Sequence, residues 1–271
     1  MLRSKLKNLW KRLRMLKIFN EDCLDWLKKQ EDNSVDLIIT SPPYNLHNVG
    51  GDLKILTYDD DKPENEYQEE QIEILNECYR VLKPTGLMFY NHKNRYVKKK
   101  MISPLEWLLK SKFDLRQEII WNRLTCVDYN RFRFATLTER VYILQKDPDS
   151  SFKFKQEAVK FNDIWNIPRP KPKENFTHDA TFPVELIYRI INSIDTNWND
   201  KVIVDIYAGT GTTAQAANSF GFKEVLMVEL DKQWNEVINI KFNNHEYEKE
   251  PLPTINNKYT KPKHLQFHKL F

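Results

Sequence analysis

Short apolar runs closed by turn residues alternate along this chain with stretches whose apolar positions recur at helical spacing. Val35-Asp36-Leu37-Ile38-Ile39, Leu87-Met88-Phe89-Tyr90, Glu118-Ile119-Ile120-Trp121, Thr138 to Gln145, Val202-Ile203-Val204 and Val225 to Val228 read as buried strands. Leu24, Trp26 and Leu27 mark a helix behind a short opening strand within 17–34, and Asp22 stands where an N-cap belongs. Ile72, Leu75, Cys78, Tyr79 and Leu82 share one face of a helix over 71–82, which Lys83-Pro84-Thr85-Gly86 is expected to end. Leu105, Trp107, Leu108 and Leu109 mark a further helix. Strands alternating with helices predict an α/β fold, a mostly parallel sheet with helices on both faces. Residues 46–73 are polar and acidic, with Gly50-Gly51 and Asp59-Asp60-Asp61. They are expected to form a loop, either a lid that orders on substrate or a solvated surface segment.

Two segments interrupt the pattern in a chemically informative way. Thr40-Ser41-Pro42-Pro43-Tyr44-Asn45 stops the 35–39 strand abruptly. Its prolines supply no N–H and fix their φ angles, so nearby carbonyls are stiffly aimed and lack ladder partners. A hydroxyl, a rigid carbonyl pair and an aromatic ring thus gather at the C-terminal end of a strand, where open α/β sheets bind ligands. The plain alternative is a strand-ending turn with a surface tyrosine. The second segment runs from the strand ending at Asp205 through Ile206-Tyr207-Ala208 into Gly209-Thr210-Gly211 and a helix opening at Thr212-Thr213. Glycines let backbone approach a ligand closely, and a helix start favours a carboxylate. Glu229 closes the next strand, about 20 residues on, where an acid can bind ribose hydroxyls. No Gly-Lys-Ser/Thr follows the turn and a third glycine is missing, so neither a Walker loop nor the NAD fingerprint is present.

Composition narrows this picture. The 271 residues, 41% hydrophobic and 30% charged, suit one large domain with an inserted lobe. The net charge of +4 permits a nucleic-acid partner without requiring one. Cys23, Cys78 and Cys126 are scattered, which argues against a disulfide framework and a zinc site and suits a reducing cytoplasm. No apolar run is long enough to span a bilayer. Residues 1–17 carry seven Lys or Arg and no acid, with leucines at 2, 6, 9, 13 and 16. They read as a basic amphipathic helix: a DNA-backbone contact, a membrane-surface or targeting segment, a docked surface helix, or an extension upstream of a start at Met15. Across 123–176, Arg and Lys interleave with Tyr, Phe and Trp, as in a region that grips phosphates and approaches bases. The stretch after Asn244, with Pro251, Pro253, Pro262 and many lysines, reads as a loose arm.

The Thr40–Asn45 motif resembles the catalytic loop of the DNA methyltransferases that modify exocyclic amino groups, cytosine N4 or adenine N6. The run from Asp205 to Thr213, followed by Glu229, resembles their S-adenosylmethionine site, with Ile206 and Tyr207 replacing the common Pro and Phe. Asn20-Glu21-Asp22-Cys23-Leu24 resembles a third segment, with Glu21 in place of glycine, and His178-Asp179-Ala180-Thr181-Phe182-Pro183 a fourth, with Asp179 in place of proline. The order, catalytic strand first and glycine turn last, resembles the beta group of these enzymes over roughly residues 15–245.

That resemblance implies a Rossmann-like methyltransferase with permuted motif order. It divides the chain into a basic extension (1–14), a methyltransferase domain (15–246) with a target-recognition insert at about 123–176, and a tail (247–271). Implied catalytic residues are Ser41, Pro42, Pro43 and Tyr44. Ser41 Oγ and the Pro42 carbonyl would each accept an amino hydrogen, and Tyr44 would stack on a flipped-out base, worth roughly 1–3 kcal/mol. Implied cofactor residues are Asp22, Cys23, Phe182, Pro183, Asp205, Tyr207, Ala208, Gly209, Thr210, Gly211, Thr212, Thr213 and Glu229. Asn45, Arg131, Arg133 and Lys171 are the expected DNA contacts, and no metal is expected. The expected partner is double-stranded DNA; a second copy of the chain and a cognate restriction endonuclease are further candidates. Adenine enzymes of the family usually carry Asp or Asn where this chain has Ser41, which points to cytosine N4. Adenine N6 is the alternative, and a catalytically silent DNA-binding protein is the reading of another class.

Overall fold

The computed structural model describes residues 16–46, 60–125, 131–169 and 183–243. The expectations for the basic N-terminal segment, for most of the acidic loop and for the tail after Asn244 lie outside the described residues. In chain order, β1 (Leu16–Phe19), α1 (Cys23–Lys28), β2 (Val35–Thr40), α2 (Glu64–Val81) and β3 (Leu82–His92) come first. A hairpin of β4 (Arg95–Val97) and β5 (Lys100–Ile102) follows, then α3 (Leu105–Leu108), β6 (Asp114–Asn122), β7 (Thr138–Gln145) and β8 (Ile164–Asn166). The chain continues with α4 (Val184–Ser193), β9 (Val202–Asp205), α5 (Thr212–Ala217), β10 (Glu224–Val228) and α6 (Lys232–Asn243).

Eight strands form one sheet in the order β1-β10-β9-β2-β3-β7-β6-β8. The first five are mutually parallel, β7 runs antiparallel to both β3 and β6, and β8 is parallel to β6. Alternate side chains serve opposite faces, as the period of two requires. Leu37, Ile39, Leu87 and Phe89 pack with α4, α5 and α6, through residues such as Leu186, Ala214 and Ile238. Ile38, Met88 and Tyr90 pack with α1, α2 and α3, through Trp26, Leu75 and Trp107. One half of the chain therefore supplies the helices of one face, and the other half those of the other. Among the described residues no helix is long and apolar enough to cross a membrane.

Three expectations are corrected. Helix α2 starts at Glu64, inside the expected 46–73 loop, because Pro63 precedes it and Glu64 and Glu66 face its positive end; the polar residues there are its solvent face. Helix α2 does end at Val81, just before Lys83-Pro84-Thr85-Gly86, but that run is already part of β3 rather than a turn ahead of a strand at Leu87. The β2–β3 ladder shifts register between Val35 and Leu37, which accommodates Pro84. Gly86 is needed there, since a Cβ would lie 2.8 Å from the Asp36 carbonyl oxygen. The 123–176 region is less irregular than expected: besides the expected strand β7, β8 from it also joins the main sheet.

Candidate active site

Strands β2 and β9 are neighbours at the centre of the sheet, paired at Leu37–Ile203 and Ile38–Val204. The chain leaves β2 toward α2 on one face and leaves β9 toward α5 on the other. A crevice opens between connections that diverge in this way, at the carboxyl ends of the strands. Asp205 ties its walls together. Its carboxylate accepts from Thr40 Oγ1 at 2.9 Å, from the Tyr207 N–H at 3.1 Å and from Thr213 Oγ1 at 2.6 Å. Burial pushes this carboxyl up to about 6, and the three hydrogen bonds hold it from rising further.

The turn beyond Asp205 depends on left-handed backbone at Gly209 (φ 48°) and Gly211 (φ 80°). At Gly211 a Cβ would also press within 3.0 Å of Ile238. Glu229 spans the two loops: one carboxylate oxygen accepts from Gly209 N–H at 2.7 Å and the other from Asp231 N–H at 2.9 Å. Burial raises its carboxyl above the usual range. Two of its roughly four acceptor positions stay unused by these contacts. Tyr207 is half-buried and hydrogen-bonds Cys23, whose thiol burial pushes up to about 12. Asp22 accepts from the Leu24 and Asp25 N–H groups as the N-cap of α1. Ala208 donates to the Val228 carbonyl, and the Thr210 and Thr212 hydroxyls lie 3.5 Å apart. Pro183, buried and extended, precedes α4, while Phe182 lies outside the described residues.

On the other wall, Ser41 Oγ sits 2.9 Å from the Tyr44 hydroxyl. That hydroxyl donates to Glu139 Oε2 at 2.9 Å and receives Asn91 Nδ2 at 3.1 Å. Glu139, 5% exposed, pairs through its other oxygen with Arg123 at 2.9 Å. The Tyr44 ring lies 4.5 Å from the His92 ring, and Tyr67 donates its hydroxyl to the Pro43 carbonyl at 2.7 Å. Burial holds His92 well below its usual range, so the ring stays neutral, with its Nε2 2.8 Å from the Tyr67 oxygen. Asn45 does not present itself to DNA. It is 2% exposed, adopts φ 52°, and exchanges two hydrogen bonds with the Lys62 backbone while its own N–H donates to Asp60. It closes the loop behind the Thr40–Tyr44 segment, a role for which its tolerance of left-handed backbone suits it.

Arg131 is exposed, and the Arg133 guanidinium stacks 4.6 Å from the Tyr96 ring. Lys171 lies outside the described residues. Next to them stands the β4–β5 hairpin, whose turn residues Lys98 and Lys99 adopt φ 48° and 66°. Lys99 Nζ lies 4.1 Å from the Phe132 ring, and Phe134 is 97% exposed. Sequence reasoning passed over this hairpin, although the run Lys98-Lys99-Lys100 was a visible sign. It also passed over Glu139, Asn91, His92 and Tyr67. For Glu139 a signal existed: it falls in phase with Val141 and Ile143 on the core-facing row of a strand, where an acid needs a partner.

The sheet order and the meeting of these two loops are those of a Rossmann-like methyltransferase. The DNA methylase model of the N6/N4 amino-methylating type matches residues 35–240, and the chain belongs to that family. S-adenosylmethionine is the methyl donor the family uses. M.BglII, a type II methyltransferase of Bacillus subtilis, is 26% identical over 256 residues, covering 82% of this chain and 67% of that protein. M.HinfI of Haemophilus influenzae is 25% identical over 247 residues, covering 81% and 66%. The chain thus spans about two thirds of the length of these relatives. The structure of a putative DNA modification methylase of Thermus thermophilus, complexed with S-adenosyl-L-methionine, superposes with a TM-score of 0.61 at 24% identity, covering 84% of this chain and 93% of that one. The residues present fit such a group: left-handed backbone at Gly209, acceptor positions on Glu229 and the half-buried Tyr207 ring offer a close backbone approach, a hydroxyl acceptor and an aromatic wall.

Proposed function

We propose that the protein methylates N4 of a cytosine flipped out of a specific double-stranded DNA sequence, as the modification arm of a restriction–modification system. Ser41 carries the proposal. It is a half-buried hydroxyl at the carboxyl end of β2, one residue from the Thr40 that bonds Asp205, and so stands at the seam between the two loops. The methyl donor supplies an electrophilic methyl group on a sulfonium. Gly209, Gly211, Tyr207 and Glu229 are the residues that would hold it. An exocyclic amino nitrogen is a poor nucleophile because its lone pair is delocalised into the ring. Ser41 Oγ and the Pro42 carbonyl accept its two hydrogens, which favours a pyramidal nitrogen with its lone pair free. No strong base is required, and positioning alone can supply about 7–11 kcal/mol. A hydroxyl accepts less strongly than a carboxylate, which suits the cytosine amino group. Arg131, Arg133 and the hairpin lysines form the surface proposed to take the phosphates, with a cognate restriction endonuclease as the counterpart activity.

Expression in a host lacking both marks, followed by digestion of the DNA to nucleosides and mass spectrometry, tests the reading. N4-methyl-2′-deoxycytidine is the expected product. N6-methyl-2′-deoxyadenosine alone would move the target to adenine, and no methylated nucleoside would favour a silent DNA-binding protein.

A further inference from the structure

Among the described residues, Glu139 makes contacts that the chemistry above does not use. Its carboxylate can only accept hydrogen bonds. The Tyr44 hydroxyl, 2.9 Å from Glu139 Oε2, therefore gives its single proton to Glu139. It has none left for Ser41, which also lies 2.9 Å away. The Ser41–Tyr44 hydrogen bond then has one direction: Ser41 donates and the Tyr44 oxygen accepts. With its proton committed to Tyr44, Ser41 can offer only lone pairs to the crevice.

We propose that Glu139 is a positioning residue that, through Tyr44, fixes Ser41 as a hydrogen-bond acceptor toward the amino group to be methylated. This deepens the methyl-transfer reading and rests on it. A serine free to rotate could equally direct its proton at the nitrogen, occupying the lone pair that must attack. The relay removes that option, and chained hydrogen bonds strengthen one another in a buried setting. Arg123 anchors the far end: it donates to Glu139 Oε1 at 2.9 Å and to the carbonyls of Thr136 and Leu137.

Glu139→Gln tests the direction of the relay. Arg123 can only donate, so the glutamine carbonyl turns to it and the glutamine amide turns to Tyr44. Asn91 Nδ2 lies 3.1 Å from both the Glu139 oxygen and the Tyr44 oxygen, so the variants are made in an Asn91→Leu background, where no flipped Asn91 carbonyl can take the Tyr44 proton. The Tyr44 oxygen then accepts from glutamine, its proton passes to Ser41, and the Ser41 proton is released toward the target nitrogen. The single-turnover methylation rate is expected to fall about tenfold or more, the size of one misdirected hydrogen bond. Affinities for S-adenosylmethionine and DNA stay unchanged. In a Tyr44→Phe background, which keeps the ring and cuts the relay, adding Glu139→Gln should cause no further loss. An unchanged rate in Glu139→Gln, or the same fold loss in both backgrounds, overturns the relay. If the single variant does not fold, Tyr44→Phe alone decides: a slower rate with retained DNA affinity supports the relay, and an unchanged rate overturns it. Wild-type protein that transfers no methyl group to DNA would instead overturn the underlying reading.

Discussion

Replacing Asp205 by Asn keeps the shape of the side chain and removes its charge. The folded protein holds the Asp205 proton up to about pH 6, whereas the ordinary value is 3.8. Between those values the folded state binds more protons than the unfolded chain, so stability falls as pH rises through the interval. The contribution is fully present below the unfolded value and is lost by the time pH has risen past the folded one. At about 1.4 kcal/mol for each tenfold change in acidity, the buried anion costs about 3 kcal/mol at neutral pH. Asparagine can still accept from Thr40 and Tyr207, and Thr213 can turn its hydroxyl to receive the new N–H. Urea unfolding of both proteins from about pH 4 to pH 7 at fixed ionic strength measures the effect. The stability of Asp205→Asn relative to wild type should rise by about 2.4 kcal/mol across that range, since at pH 4 part of the contribution is already lost. Only the change with pH matters, so any constant penalty from the altered hydrogen bonds cancels. A relative stability that stays flat from acid to neutral pH would refute the reasoning.

Glu229→Ala should weaken S-adenosylmethionine binding by calorimetry while circular dichroism stays native; unchanged affinity removes Glu229 from the cofactor site. Gly211→Ala forces a left-handed alanine, at roughly 1–2 kcal/mol, and pushes on Ile238, so its melting temperature should drop. Lys98→Ala with Lys99→Ala should lower DNA affinity about equally for all sequences and reduce its salt dependence, as read by titration at two ionic strengths. Arg131→Ala or Arg133→Ala should weaken DNA binding or relax target choice with cofactor affinity intact; an unchanged methylation pattern and unchanged DNA binding would exclude them from recognition.

The sheet was largely legible because its strands are buried on both faces and appear as unbroken apolar runs. Thr138–Gln145 has the bounds read from the pattern, and β2 lies one residue from them. Pro84 and Gly86 misled because they usually punctuate; here a parallel neighbour and a register shift carry the strand through them. Helix α2 hid its first turns because its exposed face is as polar as a loop. The two walls of the crevice could be named from motifs, since each places special residues next to one another. What joins them could not be. Thr40 with Asp205, and Tyr44 with Glu139, lie 165 and 95 residues apart, and no local pattern connects such pairs. Asn45 illustrates the reverse error: next to a motif expected to be catalytic, a polar residue invites a ligand role, yet its backbone geometry and burial make it a fastener.

Strand order has a bearing on how the molecule is born. Strands β9 and β10, late in the chain, fill the gap between β1 and β2, which were made first. At ribosomal speeds of about 5–20 residues per second, the interval between Thr40 and Asp205 lasts roughly 10–30 s. For that time β2, buried at every position in the finished protein, has one bare edge and no cover from α4, α5 or α6. Such an edge invites pairing with other chains, so the nascent protein needs shelter during this window. The same delay means that a molecule interrupted before Asp205 has only one wall of the crevice.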